Sequence, residues 1–155
     1  MKKRIYRNLL SWSFIAAFAL LISCNDDDDK PADPTLYTRL GGVDAISLVV
    51  DKFLTNVAAD NVINARFEAT VANASRFQLL RNNLIDQICA GSGGPCTYKG
   101  KTMLVAHTGM DISQAEFNAL VGDLVAALDT YSVPEKEKND LLAILGPMQS
   151  DIVGK

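Results

Sequence analysis

The 155-residue chain is short of the residues from which catalytic and metal centres are usually built. It has one histidine, His107, and three cysteines, Cys24, Cys89 and Cys96. Two thiols and a single distant histidine form no zinc spacing. No serine or cysteine stands with the histidine in a nucleophile motif, and no glycine-rich loop has the phosphate-cradling pattern. Long apolar runs are equally scarce. The one that exists, Leu9 to Ile22, holds roughly 14 residues, short of the ~20 that a membrane-spanning helix needs. Sustained period-2 alternation is absent, which leaves no basis for a sheet and makes the fold class all-α.

Four of the fifteen lysine and arginine residues fall within the first seven positions. Lys2, Lys3, Arg4 and Arg7 precede the apolar run, and Leu21-Ile22-Ser23-Cys24 closes it with a small residue before cysteine. That is the layout of a secretory signal ending in a bacterial lipobox, with residues 1–23 removed and Cys24 lipidated. The alternative, a transmembrane anchor, is disfavoured by length. Several acyl chains on one residue give stable anchoring. The expected location is therefore the cell envelope, at the outer membrane on its periplasmic side or at the cell surface. Residues 24–35 carry the acidic, proline-containing run Asn25 to Pro34 and read as a solvated tether. Removing the four basic residues takes the formal charge from −3 to −7, which speaks against nucleic acid as a partner.

Residues 36–155 have room for one domain. Helical stripes run from Ala45 to Ala59, from Ser75 to Cys89, and from Ser113 onward, where Ser113-Gln-Ala-Glu116 has the form of a capping box. A fourth helix is expected to open at Ser132-Val-Pro-Glu135, with Pro134 in its first turn. Gly146-Pro147 should kink or interrupt it. Between the second and third long helices, Ala90 to Ile112 must be loop with at most one short helix. Cys89 and Cys96 flank a glycine-rich turn there, and in an oxidising compartment a disulfide is expected; the alternative is two free buried thiols.

His107 lies in that irregular stretch. If Thr102 to Thr108 is helical, Met103 sits one turn from it on the same face. A lone histidine is more often structural than a ligand. If it does bind a metal, one protein ligand must suffice, as it does for haem, whose porphyrin supplies four.

The ordered set Leu36-Tyr37-Thr-Arg-Leu40-Gly41-Gly42, Asp51-Lys-Phe53, Ala59-Asp60, Gly93-Gly94-Pro95, Tyr98-Lys-Gly100, Met103-Leu-Val-Ala-His107-Thr-Gly109 and Val133-Pro134 resembles the group I truncated haemoglobins, in order and spacing. The resemblance spans the whole domain after the tether. It implies a two-over-two helical sandwich around haem b (iron protoporphyrin IX), with His107 as the proximal iron ligand. It further implies that Phe67 wedges against the porphyrin, that Phe53 and Phe77 line the pocket, and that Tyr98 and Met103 belong to the haem-contacting loop.

The chain departs from that family on the distal side. Leu54 stands where oxygen-binding members carry a tyrosine, and Arg81 where they carry a glutamine. Arg81 falls on the apolar stripe with Phe77, Leu84 and Ile88, and a charge there needs a partner. Three are open to it: the distal ligand, a haem propionate, or solvent, the last two being preferred. Ala90-Gly91-Ser92 also lengthen the turn before Gly93. The expected function is reversible binding of a diatomic gas, oxygen or nitric oxide (carbon monoxide as a probe), with a reductase as a further partner. The alternatives are a haem enzyme, a nitric oxide dioxygenase or weak peroxidase using Arg81, a redox or sensor protein, or a helical scaffold that binds partners without haem.

Overall fold

Helix formation in this chain follows its caps. In the computed structural model, which describes residues 33–155, Thr35 accepts a hydrogen bond from the Thr38 amide and starts a one-turn helix, α1 (Leu36–Arg39). Gly41 is left-handed at φ 91° and lets α2 begin at once, so that it runs Gly42–Ala59, earlier than the stripe alone indicates. Its apolar side, Ile46, Val49, Val50, Phe53, Leu54 and Val57, is buried. A 3-10 turn (Asn64–Arg66) and a one-turn helix, α3 (Glu68–Val71), follow. Neither has a periodic signal in sequence. The Asn73 side chain caps α4 (Ala74–Gly91) by accepting from the Arg76 amide at 3.0 Å.

Ala90 and Gly91, expected to open the loop, instead finish α4, and the irregular stretch beyond them contains one short helix, α5 (Met103–His107). Then α6 (Gln114–Thr130) opens on the capping box expected at Ser113 and Glu116. The start of α7 (Glu135–Leu145) differs from expectation. Pro134 is extended at φ −61°, ψ 151° and stands outside the helix as its N-cap, while Ser132 is left-handed at φ 54° and caps nothing. The proline ring steers the residue before it away from helical geometry, which prevents Ser132 from folding into a capping turn. At Gly146-Pro147 the α-helix stops and the chain continues as a 3-10 segment, Gly146–Asp151. No strand forms among the described residues; a single parallel bridge joins Ile112 to Val153. The expected signal segment, Cys24 and the tether up to Ala32 lie outside the described residues.

The helices pack around α2, which lies against both α4 and α6. Leu128 of α6 and Leu141 of α7 are each 1% exposed in the same cluster, and burial of each contributes about 1.5–3 kcal/mol. Asn56 donates to the Asp123 carbonyl at 3.0 Å and fixes the register of α2 on α6. Arg39 ties α1 to α7, donating to Glu137 at 3.0 Å and also to Asp140.

Cys89, fully buried at the end of α4, is joined to Cys96 with a Cα separation of 5.7 Å. The turn between them has no space for a side chain at Gly94, where a Cβ would lie 2.8 Å from both the Cys89 carbonyl oxygen and Sγ. The disulfide thus holds the head of the loop that leads to α5. Reduction, or the double change Cys89→Ala with Cys96→Ala, should lower the thermal midpoint by about 10 °C, from the ~2–3 kcal/mol that closing so short a loop contributes. Circular dichroism melts with and without reductant check this, and coincident melts would show that the loop is held by packing alone.

Candidate functional site

A five-residue helix has no stability of its own, so α5 must be held by its neighbours. Thr102 caps it, accepting from the Val105 amide at 3.3 Å. From α4, the Gln87 amide donates to the sulfur of Met103 at 3.6 Å and to that of Met148 at 3.2 Å, joining α5 to the C-terminal 3-10 segment. The Met103 side chain packs with Val121, Met148 and Val153 on Ile112, Phe117 and Ile152.

One turn after Met103, the half-buried His107 places Nδ1 2.7 Å from the Met103 carbonyl oxygen. A carbonyl can only accept, so Nδ1 is the donor, and in the neutral ring the lone pair is on Nε2. An imidazole oriented this way is prepared to ligate a metal through Nε2, with the bond at Nδ1 fixing the ring. Among the described residues no group of three or more histidine, cysteine, aspartate or glutamate side chains could hold a metal ion. The donor set fits a cofactor that brings the remaining ligands itself.

The apolar interior has the corresponding form, in two pieces. The main cluster carries Phe67, Phe77, Leu80, Leu84 and Leu120 as partly exposed members. The second carries Met103, Val121 and Met148 likewise. Helix α6 contributes to both, with Leu120 on one and Val121 on the other. Half-exposed phenylalanine and methionine on both sides suit a large flat apolar group such as the porphyrin that the resemblance implies. Of the pocket residues expected from the sequence, Phe53 and Leu54 are each 6% exposed in the main core, while Phe67 and Phe77 are half-buried at its margin.

Tyr98 donates to the Lys101 carbonyl at 2.8 Å, and burial pushes its phenol above the ordinary range. Its ring lies where a Cβ on Gly100 would be. That contact accounts for the Tyr-Lys-Gly spacing and folds the loop back toward α5.

The segments bearing Phe67 and His107 are tied together by a residue that the sequence did not single out. Arg66 donates to Glu116 at 2.6 Å through Nε and at 3.2 Å through Nη2, and to the Met110 carbonyl at 2.8 Å through Nη1. Glu116 also accepts from the Ser113 amide at 2.8 Å and its hydroxyl at 2.7 Å. Arg66, with the two Ser113 donors, lowers the Glu116 carboxyl to about 2. The contacts of Gln87, Met148 and Asp51 were missed in the same way, although Asp51 stands in the Asp51-Lys-Phe53 set, because a polar contact between distant elements leaves no periodic trace.

Arg81 has a partner that none of its three expected options named. Its Nε and Nη2 donate to Asp51 on α2 at 2.5 and 2.9 Å. The pairing holds the Asp51 carboxyl below its ordinary value. A neighbouring helix therefore satisfies the charge, and the apolar stripe of α4 is broken only at its edge.

Comparison with known proteins agrees with this geometry. The model of a family described as bacterial-like globin matches residues 35–153. The chain is 30% identical over 124 residues to the group 1 truncated hemoglobin GlbN of Mycolicibacterium paratuberculosis, covering 79% of this chain and 88% of that one. It is 31% identical over 121 residues to the group 1 truncated hemoglobin of Tetrahymena pyriformis, covering 78% and 96%. The crystal structure of truncated hemoglobin from T. pyriformis superimposes with a TM-score of 0.71 at 30% identity, covering 79% and 100%. A 2/2 hemoglobin structure from Synechococcus, with covalently attached heme, gives 0.70 at 25% identity, covering 77% and 98%. The two-over-two fold is thereby shown.

The Arg66–Glu116 tie has a pH signature. Because the folded carboxyl titrates near 2 and an unfolded one near ~4.3, its stabilisation is complete above the unfolded value and is lost as pH falls toward 2. Glu116→Gln should melt lower than the parent at neutral pH, and the gap should close between about pH 4.5 and 2. Thermal melts across that range test it; a pH-independent gap would assign the effect to the cap geometry instead of the charge.

Proposed function

The chain belongs to the bacterial-like globin family, matching its model over residues 35–153, and on that premise we propose that the domain binds haem b through His107 and reversibly binds a diatomic gas, oxygen or nitric oxide. The observation that carries this reading is the His107 hydrogen bond to the Met103 carbonyl at 2.7 Å, which leaves Nε2 as the ligating atom. His107 would hold the haem, which would supply the iron and the capacity to bind the gas.

The protein's part is to hold, orient and exclude. Phe67, Phe77, Leu84 and Met103 offer the hydrocarbon surface, and Arg66 holds the segments carrying Phe67 and His107 together. On the distal side Leu54 and Phe77 present hydrocarbon, and no hydroxyl stands at the Leu54 position to donate to the gas. Retention of oxygen is correspondingly weaker and oxidation easier than with a donor in place. A reductase that would keep the bound haem reduced is accordingly proposed as a partner. The enzymatic alternative, with Arg81 stabilising a developing anion, is weakened by the commitment of its Nε and Nη2 to Asp51.

We further propose export and anchoring through a lipidated Cys24, supported by the basic start, the apolar run and the Leu-Ile-Ser-Cys sequence. No helix of the described residues is long and apolar enough to cross a membrane.

An absorption spectrum of the reduced protein should show a Soret band that shifts with carbon monoxide. His107→Gly should lose haem and regain it when imidazole is supplied; retained haem with an unchanged spectrum would refute the ligand assignment. For the anchor, metabolic labelling with a fatty acid should mark the parent and not Cys24→Ala, and label persisting in the variant would refute it.

A further inference from the structure

We propose that Asp51 is a specificity-determining residue: by holding the Arg81 guanidinium in an ion pair between α2 and α4, it withholds that cation from ligands at the iron and biases the site against anions. The proposal rests on the haem-binding reading above and concerns a residue to which that reading gives no role.

The placement follows from helix geometry. Asp51 lies three residues before Leu54 on α2, and Arg81 four residues after Phe77 on α4, so each shares a helix face with the side chain assigned to the distal side. The bridge thus spans the same two helix turns that carry Leu54 and Phe77. It is bidentate, with Nε and Nη2 on the two carboxylate oxygens at 2.5 and 2.9 Å. Its side chains remain 26% and 48% exposed for Arg81 and Asp51. A pair at the solvent edge can be exchanged for another anion at small cost, and a bias of about fivefold between held and released arginine is the upper end for such pairs.

An anionic ligand gains from a nearby guanidinium through a charge-assisted hydrogen bond, whereas carbon monoxide, which is neutral, gains little. With Leu54 and Phe77 as the other distal side chains, Arg81 is the charged donor available from this stripe of α4. Whether it is available is set by Asp51. The chain thereby acquires a neutral-ligand preference without removing the cation from the helix.

The test is equilibrium binding of azide to the ferric full-length protein and of carbon monoxide to the ferrous form, both by absorption titration. Asp51→Asn should raise azide affinity about fivefold and raise the ratio of azide to carbon monoxide affinity by a similar factor. Adding Arg81→Met to Asp51→Asn should abolish that gain, and Asp51→Glu, which keeps a carboxylate within reach, should restore the low azide affinity. Far-ultraviolet circular dichroism identifies any variant that fails to fold; should Asp51→Asn do so, Asp51→Ser, which also releases Arg81, is titrated in its place with the same expected gain. An azide affinity unmoved by Asp51→Asn, a gain that survives Arg81→Met, a parallel rise for carbon monoxide, or an Asp51→Glu protein with raised azide affinity would each overturn the proposal. A protein without a Soret band would overturn the haem reading together with it, whereas coloured variants with equal azide affinities would overturn the latch alone.

Discussion

The bond from His107 Nδ1 to the Met103 carbonyl can form only while Met103 to His107 stays helical, and five residues do not stay helical unaided. Much of the surrounding architecture supplies that support. Thr102 caps the first turn. Gln87 reaches from α4 to Met103 and Met148. Arg66 holds the Met110 carbonyl just beyond the last turn. Each tie comes from a different element, so the orientation of one ring depends on α4, on the 3-10 turn before Phe67 and on the start of α6 together. The site is in this sense a property of the whole domain, although a single side chain carries its chemistry.

A second constraint is that polar groups close to this apolar region must be satisfied without filling it. Arg66 and Arg81 solve the problem in the same way, each turning to a carboxylate on an adjacent helix, Glu116 and Asp51 respectively. The consequences differ with position. Arg66 also engages backbone carbonyl oxygens at Met110 and Asp111 and so connects loop to helix. Arg81 engages only a side chain, at the solvent edge, and its contribution to stability is correspondingly small. Arg66 therefore has more bonds to release than Arg81, which holds a single carboxylate.

The long helices were legible because burial repeats with the helical period. Ile46, Val49, Val50, Phe53, Leu54 and Val57 announce α2, and Ser113 with Glu116 announces the start of α6. His107 and Met103 were legible through the motif around them. What could not be read were contacts between residues far apart in the chain: Arg66 with Glu116, Arg81 with Asp51, and Gln87 with two methionines. The sequence showed that Arg81 needed a partner, yet Asp51, 30 positions earlier, could be identified only once α2 and α4 were packed. The misplaced start of α7 has a local cause, because Ser-x-x-Glu matches a capping box in composition while the intervening Pro134 forbids its geometry.

The disulfide and the proposed export bear on one another. In a reducing cytosol a thiol pair such as Cys89 and Cys96 would be kept reduced, whereas outside it the bond persists. Ala90 and Gly91, expected from the sequence to lengthen this loop, instead complete the last turn of α4 with Ser92 as its C-cap, and the loop that follows leads directly to the helix whose geometry the site depends on. An unrestrained connection of this kind samples many conformations and would loosen α5; a cross-link at its head removes that freedom. Gly94, packed against Cys89 and Tyr37, fits the same logic, since the turn is pressed onto the core where the bond forms. The extended end of α4 and the oxidised pair are then two parts of a single arrangement that keeps the short helix α5 in place.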